Sequence, residues 1–213
     1  MSIEALTDKQ RAAWWALDKH RMVVCEGAVR SGKSVGADHA FVDFAMHGPP
    51  GNLLLAGKTQ DSVTRNIIYP MMDLFGGAVC RYNRGTREFY IDNRRVYVVG
   101  ANDERAAEKI RGITLTGAYV DEASTIPESF WTMLRSRLSV RGARMIATTN
   151  PDTPTHWLKR DWLDRADELG IARFSFLLED NPYLPADYIE SIRREFTGLW
   201  YRRFILGEWV AAE

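Results

Sequence analysis

Cysteine and long apolar runs are both scarce in this 213-residue sequence. Its two cysteines, Cys25 and Cys80, are too few for a disulfide framework or a cysteine-rich metal cluster, and we expect both to be reduced. No segment approaches the roughly 18 consecutive apolar residues of a membrane span, and residues 1–9 lack the basic-then-apolar order of a signal peptide. These absences predict a cytoplasmic protein that does not enter a membrane.

An excess of charge is also absent, because 28 basic and 28 acidic side chains leave a formal net charge of zero. No global field would therefore draw the protein onto a polyanion, and a nucleic-acid surface would have to be a local patch. Among the basic residues lysine is rare, with 6 lysines against 22 arginines. The planar guanidinium of arginine suits phosphate oxygens, although a G+C-rich genome would produce the same bias.

Apolar residues make up 46% of the chain, and predicted strands and helices alternate along most of it. Predicted strands span residues 22–26, 52–56, 115–120, 144–148 and 172–177, and predicted helices span residues 7–20, 31–45, 60–75, 127–138, 155–168 and 186–196. This order predicts an α/β fold with a mainly parallel sheet covered by helices on both faces. Residues 78–100 indicate short antiparallel strands, either an insertion or a sheet edge. We expect a core over residues 1–178 and a small helical lid or linker over residues 179–213.

A complete P-loop pattern lies between a predicted strand and a predicted helix. It reads Gly27-Ala28-Val29-Arg30-Ser31-Gly32-Lys33-Ser34. Its glycines allow backbone amides to surround phosphates, and the helix N-terminus adds partial positive charge. The pattern predicts ATP as the ligand, with Lys33 at the β- and γ-phosphates and the Ser34 hydroxyl on Mg²⁺.

Paired carboxylates follow another apolar strand. Asp121 is predicted to hold Mg²⁺, and Glu122 to orient and deprotonate the attacking water. The same pair would also suit an ordinary helix N-terminus. A water-activating glutamate favours hydrolysis over phosphoryl transfer to a bound acceptor.

Polar residues end the next strand as Thr148-Thr149-Asn150-Pro151. A parallel sheet would bring this strand end beside Asp121, where its side chains could contact the γ-phosphate or the catalytic water. An ordinary Asn-Pro turn is the alternative interpretation.

With these elements in place, the chain resembles the ATPase domain of the large terminase subunit of tailed bacteriophages, which packages DNA into proheads. The motifs that carry the resemblance run along nearly the whole sequence: Leu6-Thr7-Asp8-Lys9-Gln10, Arg30 within the P-loop, Ala56-Gly57-Lys58-Thr59-Gln60, Ile110-Arg111-Gly112, Thr148-Thr149-Asn150-Pro151 and Gly207-Glu208-Trp209-Val210.

The resemblance implies a P-loop ATPase of the ASCE type, with an extra strand between the P-loop and Walker B strands. It implies Mg²⁺-dependent ATP hydrolysis that drives double-stranded DNA into a prohead, in the cytoplasm of an infected bacterium. The implied partners are a portal protein, a small terminase subunit and further copies of the chain in a ring, a pentamer when assembled, with a monomer left open for the isolated domain. A C-terminal nuclease domain of such proteins would lie beyond this chain.

The resemblance also gives roles to single residues. Gln10 would read the adenine, although Thr7 and Gln10 equally form a helix capping box. Residues 148–150 would couple hydrolysis to DNA movement.

Several arginines are candidates for contacts with phosphate. Arg30 would stabilise the transferred phosphoryl group in cis, and Arg111 would do so in a neighbouring subunit's site, with structural salt bridges as the alternative for each. Five arginines crowd two predicted turns and are candidates for DNA binding, against an ordinary solvated hairpin: Arg81, Arg84, Arg87, Arg94 and Arg95.

Two other function classes fit part of the sequence. One is a P-loop helicase or kinase of another family, although we find no second helicase-like domain in the sequence. The other is a nucleotide-binding switch without appreciable turnover, which the combination of Lys33, Asp121 and Glu122 disfavours.

Overall fold

The computed structural model describes residues 6–212. The first five residues and Glu213, which the predicted core and lid ranges include, lie outside the described residues. The strands are β1 Met22–Gly27, β2 Asn52–Gly57, β3 Cys80–Asn83, β4 Glu88–Ile91, β5 Arg94–Gly100, β6 Leu115–Val120, β7 Arg144–Thr149 and β8 Ile171–Phe176. The α-helices are α1 Asp8–Lys19, α2 Lys33–His47, α3 Gln60–Val63, α4 Tyr69–Phe75, α5 Glu128–Arg137, α6 Ala166–Leu169, α7 Ala186–Glu195 and α8 Gly198–Trp200.

The eight strands form one sheet in the order β3-β4-β5-β2-β6-β7-β1-β8. The six strands from β5 to β8 in this order are parallel, whereas β3 and β4 pair antiparallel at one edge. The predicted antiparallel segment is thus a sheet edge. Strand β1 leads into the P-loop, and β6 is the Walker B strand, which ends just before Asp121. Strand β7 lies between them, which confirms the extra strand of the ASCE arrangement. Because the carboxyl ends of parallel strands meet at one edge, this order brings the three predicted motifs together.

Two apolar layers cover the sheet. On one face, α1, α2 and the helical stretch through α3 and α4 bury residues such as Leu17, Phe41 and Ile67. On the other face, a 3₁₀ helix at Glu104–Ile110 and helix α5 bury residues such as Trp131. Helices on both faces are the predicted consequence of a parallel sheet.

The predicted helix over residues 155–168 is not regular. It consists of a π turn at Leu158–Trp162, a 3₁₀ turn at Leu163–Arg165 and then α6. Trp157 and Trp162, five positions apart, both contact the Trp131 ring, with centroids 5.6 and 5.7 Å from it. In a π turn the hydrogen bond joins residues five positions apart, so side chains at that spacing lie on nearly the same side. Both indoles can therefore contact the same neighbour.

The residues after β8 pack onto the P-loop. Ile192 of α7 and Ile205, in a π turn at Tyr201–Ile205, share a small apolar cluster with Ala28. Cys25 and Cys80 are both buried and free. Among the residues described, no helix is both long and apolar enough to span a membrane.

Candidate functional site

The P-loop turns sharply between β1 and α2, and two glycines permit the turn. Gly27 has φ +132°, and a Cβ on it would lie 1.9 Å from the Phe176 carbonyl oxygen. Gly32 has φ +85° and precedes the first residue of α2, which explains why the helix begins at Lys33, two residues later than predicted. Side chains other than hydrogen would be strained at both positions.

Hydrogen bonds hold the loop from within and from the C-terminal segment. The Ser31 hydroxyl donates to the Ala28 carbonyl at 2.8 Å. The Val29 amide donates to the Phe204 carbonyl at 2.9 Å, and the Asn181 side chain donates to the Arg30 carbonyl at 2.7 Å. The first amides of α2 have no helical acceptor, so the preformed loop presents free donors where an anion would bind.

Lys33 reaches across the site to the end of β7. Its buried ammonium donates to the Ala28 carbonyl at 2.9 Å and to Asn150 Oδ1 at 2.8 Å. Burial lowers the pKa of Lys33 to about 8, against the opposing effect of the Asp121 charge. The P-loop lysine and the predicted coupling residue are therefore in direct contact.

Asp121 stands at the end of β6 with both carboxylate oxygens in use. Oδ1 accepts from the Thr148 hydroxyl at 2.9 Å, and Oδ2 accepts from the Asn66 amide nitrogen at 3.0 Å. Asp121 as a whole is 6% exposed. Asn66 was missed in the sequence, and the signal that could have found it is Pro70, four residues later in the predicted helix over residues 60–75.

Glu122 is half-buried and adopts the left-handed conformation, with φ 47°. Non-glycine residues in this region are strained and cluster at functional sites. Burial, followed by the neighbouring Asp121 charge, raises the pKa of Glu122, while Lys33, Lys58 and Arg65 oppose that rise. Lys58 and Arg65 follow β2 and were also missed as neighbours of the site.

The loop after β6 is joined to the end of β7. The Ser124 amide donates to the Thr149 hydroxyl and the Ser124 hydroxyl donates to the Asn150 carbonyl, both at 3.1 Å. Residues 148–150 therefore touch both the loop after β6 and the P-loop lysine, rather than forming an isolated turn.

Gln10 lies against the P-loop. Its Oε1 accepts from the Thr7 amide at 2.8 Å, which with the Thr7 side chain completes the capping box of α1. Its Nε2 donates to the Gly32 carbonyl at 2.8 Å. The capping box is confirmed, and the adenine contact stays a prediction.

The two candidate arginine fingers occupy different places. Arg30 lies within the P-loop with φ 56° and an exposed side chain. Arg111 follows the 3₁₀ helix, is 65% exposed and pairs with Glu108 at 2.9 Å. Of these two arginines, Arg30 is the one that belongs to the P-loop.

The arginines of the antiparallel edge lie on several surfaces. Arg81 and Arg95 flank Tyr90 across β3, β4 and β5 on one face of the sheet. The Arg84 guanidinium lies 5.3 Å from the Tyr69 ring centroid, and Arg87 lies beside Asp61 at 3.5 Å. Their side chains remain accessible to a ligand.

Arg94 differs from this group because acceptors of the protein itself hold its guanidinium, and its DNA contact stays a prediction. Its guanidinium donates to the carbonyls of Ala45, Pro49 and Gly51 at 2.8 to 3.0 Å and to the Thr116 hydroxyl at 3.0 Å. Arg94 thus ties the loop after α2 to the sheet, because strand alternation points it away from Arg81 and Arg95.

Comparisons with known proteins identify the family of this chain. The family described as terminase large subunit, T4likevirus-type, N-terminal, matches residues 24–213. The large terminase of a thermophilic bacteriophage is 31% identical, with a TM-score of 0.88, over 97% of this chain and 54% of that one. That protein has also been solved in complex with ADP and with ATP-γ-S. A search of curated protein sequences found no match.

More distant structures share the fold. The ATPase domain of the Thermus phage P74-26 large terminase is 17% identical, with a TM-score of 0.67, over 93% of each chain. The large terminase of bacteriophage HK97 is 12% identical, with a TM-score of 0.73, over 95% of this chain and 50% of that one. The chain spans about half the length of the large terminase from the thermophilic bacteriophage. With the family match and the likeness to that terminase both covering most of its residues, the chain belongs to the terminase large subunit family and corresponds to its T4likevirus-type N-terminal part.

Proposed function

We propose that this chain is the motor domain of a phage terminase, which hydrolyses ATP with Mg²⁺ and drives double-stranded DNA into a prohead. One observation carries the proposal: Lys33, Asp121, Glu122 and Asn150 converge at the carboxyl edge of the parallel sheet, with Lys33 bonded to Asn150. A P-loop with a neighbouring pair of carboxylates is typical of a nucleotide hydrolase.

The residues fit a magnesium ion. Asp121 is a buried carboxylate whose hydrogen-bond donors, Thr148 and Asn66, are both neutral, so its negative charge is available to a cation. Among residues 6–212, no cluster of three or more His, Cys, Asp or Glu side chains could hold a metal alone. Mg²⁺ needs no such cage when nucleotide phosphates supply further oxygens. Asp121 and Ser34 would hold the ion, which would neutralise charge on the phosphates.

Glu122 is the proposed base that orients and deprotonates the attacking water. Burial and Asp121 raise its pKa, which favours proton acceptance, while Lys33, Lys58 and Arg65 limit that rise. A catalytic base works best when its pKa approaches the working pH. The left-handed Glu122 backbone is a strained conformation of the kind that clusters at functional sites.

Arg30 and Arg111 are proposed to stabilise charge on the transferred phosphoryl group. Arg30 belongs to the P-loop and would act within its own chain. Arg111 is exposed beyond the 3₁₀ helix and would act on a neighbouring subunit, which fits a ring of several copies. Such arginine fingers contribute about 10³ to 10⁵ in rate.

Residues 148–150 are proposed to link the state of the nucleotide to movement. Thr148 holds Asp121 and Asn150 holds Lys33, so both would respond when phosphate oxygens replace these contacts. Gln10 is proposed to read the adenine from its place beside Gly32.

The proposed nucleic-acid surface consists of Arg81, Arg84, Arg87 and Arg95 at the antiparallel edge. Basic side chains there suit phosphate contacts that do not depend on sequence. The other proposed partners are a portal protein and a small terminase subunit, in the cytoplasm of an infected bacterium. Nuclease activity is expected only outside this domain.

A phosphate-release assay with two variants tests the function. We expect the unsubstituted chain to hydrolyse ATP slowly in Mg²⁺, Lys33→Ala to lose nucleotide binding, and Glu122→Gln to bind ATP but turn over at least about a hundredfold more slowly. Binding is measured by equilibrium dialysis with labelled ATP. Near-normal turnover by Glu122→Gln would remove it from the catalytic role, and tight ATP binding without any phosphate release would favour a nucleotide switch.

A further inference from the structure

We infer that Asn66 is a positioning residue that fixes the Asp121 carboxylate for Mg²⁺, and that Pro70 places it there. The inference rests on the proposed Mg²⁺-dependent hydrolysis. It adds to that site a residue that lies in none of its three motifs, namely the P-loop, the end of β6 and the end of β7.

Asn66 and Asp121 are in direct contact through their side chains. The Asn66 Nδ2 donates to Asp121 Oδ2 at 3.0 Å, while the Thr148 hydroxyl donates to Oδ1 at 2.9 Å. Each carboxylate oxygen can accept two hydrogen bonds or ligands, so each keeps one lone pair for a metal or its water. Two donors on two oxygens stop the carboxylate from rotating, which one donor alone would allow.

The Asn66 side-chain amide carries no charge. A lysine or arginine at this position would compete with the cation for the carboxylate, and an acidic side chain would repel Asp121. An amide orients the carboxylate without removing its charge. Outer partners of this kind tune metal sites by holding the ligands in place.

The backbone around residue 66 is irregular and brings the Asn66 side chain to Asp121. Residues 64–68 form a π turn between α3 and α4, with the Tyr69 amide bonded to the Thr64 carbonyl five residues earlier. Pro70 has no amide hydrogen to give the Asn66 carbonyl, and in a regular α-helix its ring would collide with that carbonyl. The Thr64 hydroxyl also donates to the Gln60 carbonyl at 2.9 Å, which loosens the preceding turn.

The wider turn changes where the following side chains point. An α-helix repeats every 3.6 residues, and inserting a π turn rotates the residues on either side relative to each other. Ile67, Ile68 and Met71 remain fully buried against the sheet, so the core contacts persist while Asn66 lies at the edge toward Asp121. Such turns occur frequently at functional sites.

The test measures how much Mg²⁺ is needed for tight binding of a fluorescent ADP analogue, compared with binding in EDTA. Asn66→Ala and Asn66→Leu both remove the amide, and Leu keeps its approximate shape. We expect both variants to need about 10 to 100 times more Mg²⁺, with affinity in EDTA unchanged. The matched control is Asp73→Ala, an exposed position on the same helical stretch, for which the Mg²⁺ requirement should stay at the unsubstituted value.

A second variant tests the role of the backbone. Pro70→Ala keeps Asn66 but allows a regular α-helix, so we expect a shift of the Mg²⁺ requirement in the same direction and smaller than that of Asn66→Ala. Circular dichroism and thermal melting show that each variant is folded.

Three results would overturn the inference. One is an unchanged Mg²⁺ requirement in both Asn66 variants, and another is a shift in only one of them, which would assign the effect to packing. The third is an equal loss of affinity in EDTA, which would make Asn66 structural. If the unsubstituted chain binds the ADP analogue equally well with Mg²⁺ and in EDTA, the proposed metal site is wrong, and with it this inference.

Discussion

Two regions of the same sheet carry groups of polar residues, and they are built differently. At the carboxyl ends of β1, β6 and β7, buried side chains such as Lys33, Asp121 and Thr148 bond across separate elements. At the antiparallel edge, arginines such as Arg87 and Arg95 are exposed and pair with nearby acids. The first region holds its side chains in place by bonds between elements, whereas the second leaves its charged side chains exposed to solvent.

Arg111 is an exception to this contrast, because it is as exposed as the edge arginines yet is proposed to act in ATP hydrolysis. We expect Arg111→Ala subunits and Lys33→Ala subunits, each inactive when alone, to regain ATPase activity when mixed in assembled motors. The reason is that some interfaces then join an intact P-loop to an intact Arg111, restoring a contribution of about 10³ or more in rate. Phosphate release from the mixture is the measurement.

The Arg111 assignment requires a ring, so assembly is checked by light scattering or electron microscopy. If rings form and the mixture stays inactive, Arg111 does not act between subunits and Arg30 becomes the preferred finger.

Two ion pairs, one buried and one exposed, allow the two regions to be compared by the free energy of unfolding. Near the nucleotide region, the Glu26 carboxylate is 1% exposed and is held by Arg173 and by the Trp209 indole at 2.6 Å. Because Arg173→Met leaves that buried charge with one neutral donor, we expect the free energy of unfolding to fall by about 2 kcal/mol. For Arg95→Met, which breaks the exposed pair with Glu88, we expect a loss below about 1 kcal/mol.

Urea unfolding followed by circular dichroism measures both variants under the same conditions. Equal losses would show that burial does not separate the two regions, and the contrast drawn from Glu26 would then be wrong.

The smallest expected effect concerns DNA. Replacing Arg84 and Arg87 together with Ala should weaken binding to double-stranded DNA at low salt and reduce the slope of log affinity against log salt by about 2. ATP affinity should not change, because neither side chain contacts the P-loop in the described structure. Fluorescence anisotropy with labelled duplex DNA measures the effect.

The control for this experiment replaces Arg160 and Arg165, which are exposed arginines on the irregular helical segment before β8. DNA affinity that is unchanged in the Arg84 and Arg87 variant, or reduced equally in both variants, would make the antiparallel edge an ordinary solvated surface.

The sequence predicted the elements of the site well, because local patterns encode them. The P-loop glycines, the acidic pair after β6 and the alternation of strands with helices all depend on neighbours within a few residues. The irregular segment at residues 158–165 was predicted wrongly as one regular helix, since contacts between Trp157, Trp162 and the distant Trp131 decide its turns. The acceptors that hold Arg94 could not be predicted for the same kind of reason, because they come from other elements.

By itself the sequence determined the P-loop, the Asp121-Glu122 pair and the polar end of β7, and their order implied that they would meet at one edge of a parallel sheet. Only the tertiary structure showed that Asn66 donates to Asp121 and that Asn150 accepts from Lys33. When a side chain bonds to another element, its partner depends on strand order, helix phase and burial. The residues nearby in sequence determine none of these.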